Sequence, residues 1–337
     1  MLENYKNKKV FVTGDSGFKG TWLCLWLHKL GAKVFGYSLY PNTINELHYQ
    51  QLELDKKITH FSGDVRDLKY LDQCIKQSEP EIVFHLAAQP FVGAGFEFPH
   101  ETFSTNFMGT LNLLEVCKKT SSVKSIVVVT SDKSYKNQDW ISMYREGDTL
   151  SSGDPYSASK AASEIVTESY STSFFKNKVG VATARSGNTI GGGDWSESRL
   201  IPKTIKLISE NKPATLYDPE ATRPWTYVID IIHGYMLLGL KLLENPAFFT
   251  GAWNFGPDYD SNVTVLEIVK KIIHFSGKGE YIITGESYKE SKYLSVDSSK
   301  SRHFLHWKPM FKFEDMLELT VKWYLNRNID SEIYLPT

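Results

Sequence analysis

Val10-Phe-Val-Thr-Gly14-Asp-Ser-Gly17-Phe-Lys-Gly20 places a GxxGxxG spacing straight after an apolar run and straight before a helical pattern. Glycines there permit a tight turn and let bare backbone approach a pyrophosphate, which the positive end of the following helix attracts. A glycine motif alone is weak evidence. Its strand–loop–helix context is what points to a dinucleotide. Gly14, Ser16, Gly17, Phe18, Lys19 and Gly20 are the candidate cofactor residues of this loop, with Lys19 expected to add charge beside a phosphate. In the helix that follows, Trp22, Leu23, Trp26, Leu27 and Leu30 recur at helical spacing and are read as core.

Outward from this loop, short apolar runs alternate with helical patterns, the signature of βαβ units and a parallel sheet. Strands are predicted at 9–13, 33–37, 59–62, 82–86, 125–130 and 179–185, with helices at 19–30, 69–77, 101–119 and 157–175. The fold class is α/β: a Rossmann-type, doubly wound parallel sheet with a smaller C-terminal α/β lobe. After residue 187 the pattern loosens and glycine, proline and tryptophan become frequent, as in Gly191-Gly-Gly-Asp-Trp195 and Arg223-Pro-Trp225. Helices are predicted in this half at 202–210, 228–243, 263–275 and 313–326. The division is a nucleotide-binding domain over 1–187 with a return segment at about 226–256, and a second lobe over 188–225 and 257–337.

Ligand-facing positions in such a sheet lie beyond the carboxyl ends of its strands. Asp64 and Val65 after the third strand are placed at the adenine edge, and Leu86, Ala87 and Ala88 after the fourth are small enough for close approach. His85 is read as a core histidine. The second strand ends Gly36-Tyr-Ser38, without the acidic residue that would bind a ribose, so that rule does not separate NAD from NADP; the absence of an arginine there leans toward NAD.

Ser131-Asp132-Lys133 follows the fifth strand, and Tyr156 and Lys160 stand four apart in a helical pattern. Such a pair shares one helix face at about 5–6 Å between Cβ atoms. An ammonium there is expected to lower the tyrosine from its usual value of about 10, making Tyr156 a base near neutral pH.

A net charge of −1 over 337 residues gives no electrostatic reason to expect nucleic acid or membrane as a partner. Cys24, Cys74 and Cys117 are widely spaced and fit neither a disulfide framework nor a zinc site, and no metal is expected. With no signal-like apolar region at the start and no apolar run of transmembrane length, a cytoplasmic protein is expected.

Together, Thr13-Gly-Asp-Ser-Gly-Phe-Lys-Gly-Thr-Trp22, His85-Leu-Ala-Ala-Gln-Pro90, Thr130-Ser-Asp-Lys133, Gly153-Asp-Pro-Tyr-Ser157, Arg185-Ser-Gly-Asn-Thr-Ile-Gly-Gly-Gly-Asp-Trp195, Ala221-Thr-Arg-Pro-Trp225 and Trp253-Asn-Phe-Gly-Pro257 give a resemblance along nearly the whole chain. It resembles the extended short-chain dehydrogenase/reductases, specifically the nucleotide-sugar 4,6-dehydratases, and among them the branch acting on CDP-glucose. GFKG, GGGDW and Asp132-Lys133 are the stretches particular to that branch. Asp15 replaces a histidine usual there, Gly93 and Phe96 replace an arginine and a tyrosine, Ser134 replaces a cysteine, and Tyr217-Asp-Pro-Glu220 replaces an Asn-Pro-His run.

The resemblance implies NAD and a nucleotide-sugar, a CDP-hexose first, as ligands. It implies Tyr156 as base at the sugar C4 hydroxyl, Ser131 on the same oxygen, and Lys160 on the cofactor ribose. Asp132 becomes the acid for the departing C6 hydroxyl, which needs a raised pKa, and Lys133 the base at C5. Gln89, Asn106, Asn188, Arg199, Leu200, Arg223 and Asn254 are implied on the substrate side, with Glu290 a further candidate. Asn106 is also expected to support a helix bulge, and Trp195 and Trp225 to border the base or sugar. A 4-epimerase needs no acid–base pair for C5 and C6, so Asp132-Lys133 counts against that reading, and retention of both Tyr156 and Lys160 counts against a non-catalytic cofactor-sensing protein. The family also implies a homodimer, or a dimer of dimers, built through the helices after Glu101 and Ser157.

Overall fold

The chain's structure is a computed structural model that describes residues 1–40, 47–151, 153–176, 178–257, 262–284, 293–326 and 331–336. The N-terminal half runs β1 (Lys9–Thr13), α1 (Phe18–Lys29), β2 (Lys33–Ser38), short helices α2 (Leu47–Gln51) and α3 (Leu54–Lys57), β3 (Thr59–Ser62), α4 (Leu68–Ser78) and β4 (Ile82–His85). Then come α5 (Val92–Glu97), α6 (Pro99–Phe103), α7 (Gly109–Lys119), β5 (Ser125–Val129), α8 (Pro155–Tyr170) and β6 (Gly180–Ser186). The remainder runs β7 (Asn188–Ile190), α9 (Leu200–Ser209), β8 (Ala214–Leu216), β9 (Thr222–Tyr227), α10 (Val228–Glu244), α11 (Pro246–Phe249) and β10 (Gly251–Phe255). It ends with β11 (Asn262–Thr264), α12 (Val265–Ser276), β12 (Tyr281–Ile283), α13 (Ser299–Phe304) and α14 (Phe313–Leu325).

Seven of these strands form one sheet in the order β10-β6-β5-β4-β1-β2-β3. Every neighbouring pair in it is parallel. Such strands are covered on both faces, which is why β4 and β5 read as unbroken apolar runs and are buried along their length. Side chains alternate between the two faces. Val10, Val12, Ile82, Phe84 and Val127 enter a core shared with α1 and α10, while Phe11, Val83, Ile126, Val128 and Val181 enter a second core under α4 and α7. The predicted core residues Trp22, Leu23, Trp26 and Leu27 lie in the first of these, fully or almost fully buried. Small sheets β7-β9-β11 and β8-β12 build the C-terminal part with α9, α12 and α14. Among the described residues no helix is long and apolar enough to cross a membrane, and the three cysteines are free and buried.

Three predicted helices need correction. The stretch 101–119 is not continuous: α6 passes into one turn of π-helix at Ser104–Met108 before α7 begins. The stretch 157–175 starts two residues earlier, where Asp154 Oδ1 accepts from Ser157 N at 2.9 Å and Pro155 opens the first turn. It ends in a second π turn at Ser171–Phe175. Periodicity carries no mark of an i→i+5 turn, so neither was visible in the pattern. The 263–275 pattern begins instead as strand β11, and a Thr264–Glu267 capping box starts α12.

A buried ion pair joins β6 of the main sheet to α8. Arg185 on β6 donates from Nε and Nη2 to the two carboxylate oxygens of Glu164 on α8, at 2.9 and 2.8 Å. Thr130 and Thr183 donate to the same carboxylate, the latter at 2.6 Å. Breaking a buried pair leaves an uncompensated charge and costs about 3–5 kcal/mol, whereas replacing both partners by apolar groups is often neutral. Glu164→Ala is expected to lose a stability of that size in chemical denaturation, and Glu164→Leu with Arg185→Met to recover most of it. His85 is a satisfied core histidine, Nδ1 at 2.7 Å from Thr13 Oγ1 and Nε2 at 3.1 Å from Thr110 Oγ1. Burial, reinforced by the Lys160 charge, pushes its pKa down to about 3. Because the unfolded chain takes up that proton at about 6.5 and the folded one resists it, stability should fall as pH drops below about 6.5. The slope should be shallower in His85→Gln in acid-unfolding curves.

Candidate active site

The nucleotide loop is a cradle of bare backbone. Gly14 has φ of +74°, and a Cβ there would stand 2.7 Å from Ala87 N. At Gly20 a Cβ would stand 1.9 Å from the Gly14 carbonyl, so only glycine lets the first turn of α1 close on the loop. Gly17 caps α1 and brings no side-chain acceptor to its first N–H groups, which leaves the positive end of the helix for an anion. Ser16 is buried and accepts from Ser38 at 2.8 Å, joining the loop to the end of β2. Leu86 N and Ala87 N reach back to Thr13, so the end of β4 forms the far wall. These features fit the pyrophosphate of a dinucleotide. Val65 is buried, and the Asp64 carboxylate is held by Arg66 through Nε and Nη2.

Beside this cradle, a single 3-10 turn at Asp132–Ser134 follows β5. Ser131 Oγ caps it by accepting from Lys133 N at 3.2 Å, and donates to Asp132 Oδ1 at 3.0 Å. Tyr156, in the first turn of α8, is near enough to Ser131 for that hydroxyl to favour its phenolate. A Cβ at Gly187 would lie 2.7 Å from Asp132 Oδ2, so the β6–β7 link leaves just enough room for that carboxylate. Burial raises Asp132 above the usual carboxylate range, against the opposing pull of Lys133 and Ser131. The structure thus brings Ser131, Asp132 and Tyr156 together, with Lys133 and Lys160 alongside.

The expected effect of Lys160 on Tyr156 is overturned. Burial pushes the phenol up to about 12, although Ser131 and Arg199 pull the other way. Helix spacing brings the two Cβ atoms near one another, but the ammonium turns to the Val129 carbonyl at 3.2 Å. Burial also lowers Lys160 to about 8, with Glu164 opposing.

Several predicted ligand residues serve the scaffold instead. Asn106 is 1% exposed: its Oδ1 accepts from Gln89 N at 2.7 Å, and its Nδ2 donates to the Gln89 carbonyl and to Ser159 Oγ. It sits inside the π turn, where its own carbonyl accepts from Thr110 and Ser163. Asn254 is fully buried, accepting from Tyr135 OH and donating to the Tyr144 and Asp297 carbonyls. Gln89 turns its amide back on Phe91 and Thr102. The amides of all three are thus engaged with the protein itself, Gln89 from a half-buried position.

Arg199 stands before α9, bonding Asp194 at 2.7 Å with its guanidinium 5.6 Å from the Phe91 ring, and it influences Tyr156 electrostatically. Leu200 opens that helix, Asn188 begins β7 opposite Trp225, and Arg223 lies on β9. Trp195 and Trp225 carry buried indole N–H groups with no partner among the described residues. Glu290 lies outside the described residues. Sequence reasoning missed the Ser186–Tyr235 contact at 2.9 Å and the 2.8 Å bond between His60 Nδ1 and Asp15. No motif spacing links such distant positions.

The family model for GDP-mannose 4,6 dehydratase matches residues 11–320. A CDP-glucose 4,6-dehydratase of Salmonella typhimurium is 40% identical over 328 residues, covering 95% of this chain and 91% of the relative. A dTDP-D-glucose 4,6-dehydratase of Dictyostelium discoideum is 30% identical, over 80% of this chain and 62% of its own length. Among solved structures, a dTDP-glucose 4,6-dehydratase from Bacillus anthracis in complex with NAD superimposes with a TM-score of 0.80 at 23% identity, covering 95% of this chain and 97% of that one. The UDP-glucose 4-epimerase of Thermotoga maritima with UDP-glucose gives 0.83 at 21% identity, covering 94% and 99%.

The cradle makes one direct prediction. Gly20→Ala should abolish dinucleotide binding in titration calorimetry because its methyl meets fixed backbone, while Gly147→Ala, which meets nothing within 4 Å, should leave binding unchanged.

Proposed function

The chain belongs to the GDP-mannose 4,6-dehydratase family, within the extended short-chain dehydrogenase/reductases, and from that premise we propose that it converts CDP-glucose to CDP-4-keto-6-deoxyglucose and water with NAD as cofactor. The observation that carries this reading is a buried Asp132, raised in pKa by that burial and bonded to Ser131 at 3.0 Å, at the end of β5 beside the helix that carries Tyr156. An epimerase of the same fold has no use for that acid. The choice of CDP-glucose rests on the 40% identical relative and on the GFKG, Asp132-Lys133 and GGGDW stretches.

When bound, NAD supplies the acceptor for the hydride leaving C4, the donor that returns it to C6, and a positive charge that favours a phenolate. Tyr156 takes the proton of the C4 hydroxyl, and Ser131 holds that oxygen by a hydrogen bond. With C4 a ketone, the C5 proton becomes acidic and Lys133 removes it. Asp132, whose buried site favours the acid form, gives its proton to the C6 hydroxyl as that group leaves as water. A proton then returns to C5, so atoms balance as loss of one water with no net oxidation. Lys160 holds the cofactor ribose. The cradle of Gly14, Gly17 and Gly20 receives the pyrophosphate, with Asp64 and Val65 on the adenosine side. Asn188, Arg199, Leu200 and Arg223 form the nucleotide-sugar side, an arginine fork suiting a diphosphate. In this reading residues 1–187, with a return at about 226–256, carry the cofactor, and 188–225 with 257–337 carry the sugar nucleotide.

The active form is a homodimer. Phe103 and Met108 near the first π turn, and Ile165 and Phe174 on and after α8, are large apolar side chains left 37–59% exposed on the two helical segments concerned. Three unpaired, buried thiols suit a cytoplasmic setting.

Incubation with CDP-, dTDP-, GDP- and UDP-glucose should give a product lighter by one water from the CDP-sugar alone, by mass spectrometry; turnover of another nucleotide in its place would overturn the substrate. Asp132→Asn should still oxidise C4 in a single turnover, yet lose water about 10²–10⁴-fold more slowly. Ile165→Lys should shift sedimentation from dimer to monomer.

A further inference from the structure

Gly191-Gly-Gly-Asp-Trp195 forms the loop between β7 and α9, and helices grip it from several sides. A Cβ at Gly192 would stand 2.1 Å from the Trp323 ring on α14. Gly193 has φ of +84°, and a Cβ there would stand 2.4 Å from His48 Nδ1 on α2. Trp22 on α1 donates its indole N–H to the Gly192 carbonyl at 2.8 Å, and Tyr324 on α14 donates to the carbonyl of Asp194. Trp195 meets Tyr324 edge to face, with ring centroids 5.2 Å apart. Backbone held this closely fixes where the Asp194 side chain begins.

That side chain is 8% exposed, and its two oxygens have separate tasks. Oδ1 accepts from Ser196 N at 3.2 Å, which turns the chain toward α9, and Oδ2 accepts from Arg199 Nη1 at 2.7 Å. Arg199 N bonds the Ser196 carbonyl at 3.2 Å and closes the loop just before α9. Among the described residues no other carboxylate lies within salt-bridge distance of Arg199. From there the guanidinium reaches across to Phe91, between β4 and α5, with Cζ 5.6 Å from the ring centre. It is one of the charges acting on Tyr156, so it stands toward the catalytic half of the site. A guanidinium carries five N–H donors, and the bond to Asp194 uses one of them.

Resting on the nucleotide-sugar reading above, we propose that Asp194 is a positioning residue that holds the Arg199 guanidinium ready for the β-phosphate of the substrate, the phosphate next to the hexose. A loose arginine must surrender its rotamer freedom when it binds, and one already held surrenders less. The remaining donors keep the fork geometry that suits phosphate oxygens. Because the guanidinium lies toward Tyr156, it meets the phosphate nearer the sugar and not the one nearer the base. Asp194 acts only through Arg199, and the two glycines and the tryptophans of the loop fix the carboxylate that does so.

Titration calorimetry of the full chain with CDP and CMP tests this, since the two ligands differ by the β-phosphate. The unaltered chain should bind CDP more tightly. Asp194→Ser keeps an oxygen that can accept from Ser196 N and lacks the second oxygen for Arg199. It should weaken CDP about five- to tenfold and leave CMP nearly unchanged. Arg199→Met should lose at least as much, and the double variant no more than Arg199→Met alone. In turnover of CDP-glucose the effect of Asp194→Ser should fall on KM, with kcat held within about twofold. Equal losses for CDP and CMP would make the loop a support for the fold alone and overturn the proposal. Unchanged CDP affinity in Asp194→Ser would overturn it too, as would losses that simply add in the double variant. Failure of the unaltered chain to bind CDP, or UDP in its place, would overturn the nucleotide-sugar reading itself.

Discussion

The carboxylate of Glu164, sealed between α8 and the sheet, is the constraint from which the site's geometry follows. Such a charge survives burial only if every lone pair finds a donor. Here Arg185, Thr130 and Thr183 supply them from β6, the end of β5 and β6 again. Tyr156, Lys160 and Glu164 fall at successive i,i+4 positions, one above another on a single face of α8. Fixing Glu164 therefore fixes the rotation and height of the helix, and with them the phenol against Ser131. Burial opposes the Arg185 charge, but Glu164 outweighs it and holds the guanidinium protonated. Its remaining nitrogen donates to Tyr135 OH and to the Glu146 carbonyl, and Tyr135 in turn meets Asn254. One chain of hydrogen bonds runs from the catalytic helix to the last strand of the sheet.

Desolvation dominates the chemistry of the resting site. It raises the acid Asp132, raises the phenol of Tyr156, and lowers the ammonium groups of Lys19 and Lys160. Each group is thus pushed toward its uncharged form, and charge arriving with a ligand can redistribute protons among them. A solvated surface would hold these residues near their ordinary values. Burial favours the acid form of Asp132, as the proposed mechanism asks, and disfavours the phenolate of Tyr156, which that mechanism leaves to positive charge brought by a ligand.

What could be read from the amino acids was whatever is local. The glycine loop, the apolar strands and the Tyr156/Lys160 spacing each announce themselves within a few positions, and the parallel sheet follows from their alternation. What escaped depends on neighbours distant in the chain. Tyr156 and Lys160 gave the right face but the wrong pKa, because burial and the Val129 carbonyl are tertiary facts. Asn106 was tied to a bulge, which the π turn shows, and also to the substrate; its amide here bonds Gln89 and Ser159. Asn254 likewise bonds within the protein, to Tyr135, Tyr144 and Asp297. Asparagines in such motifs look functional whether they face a ligand or brace a loop, and only the partner distinguishes the two. Lys19 was assigned to the phosphate because its position in the loop was known and its reach to Ser186 was not.

The seventh strand, β10, is contributed by residues 251–255, after α10 has crossed over β5 and β6. Tyr5 OH already bonds the Met236 carbonyl on that helix, and Ser125 Oγ bonds the carbonyl of Gly239. A nascent chain that has emerged only through β6 has a six-stranded sheet with an open, fully buried-type border and one face uncovered. Exposed borders of this kind template association with other chains. The border and the face that β10 and α10 close are thus supplied by residues 228–255, well after the six strands they complete.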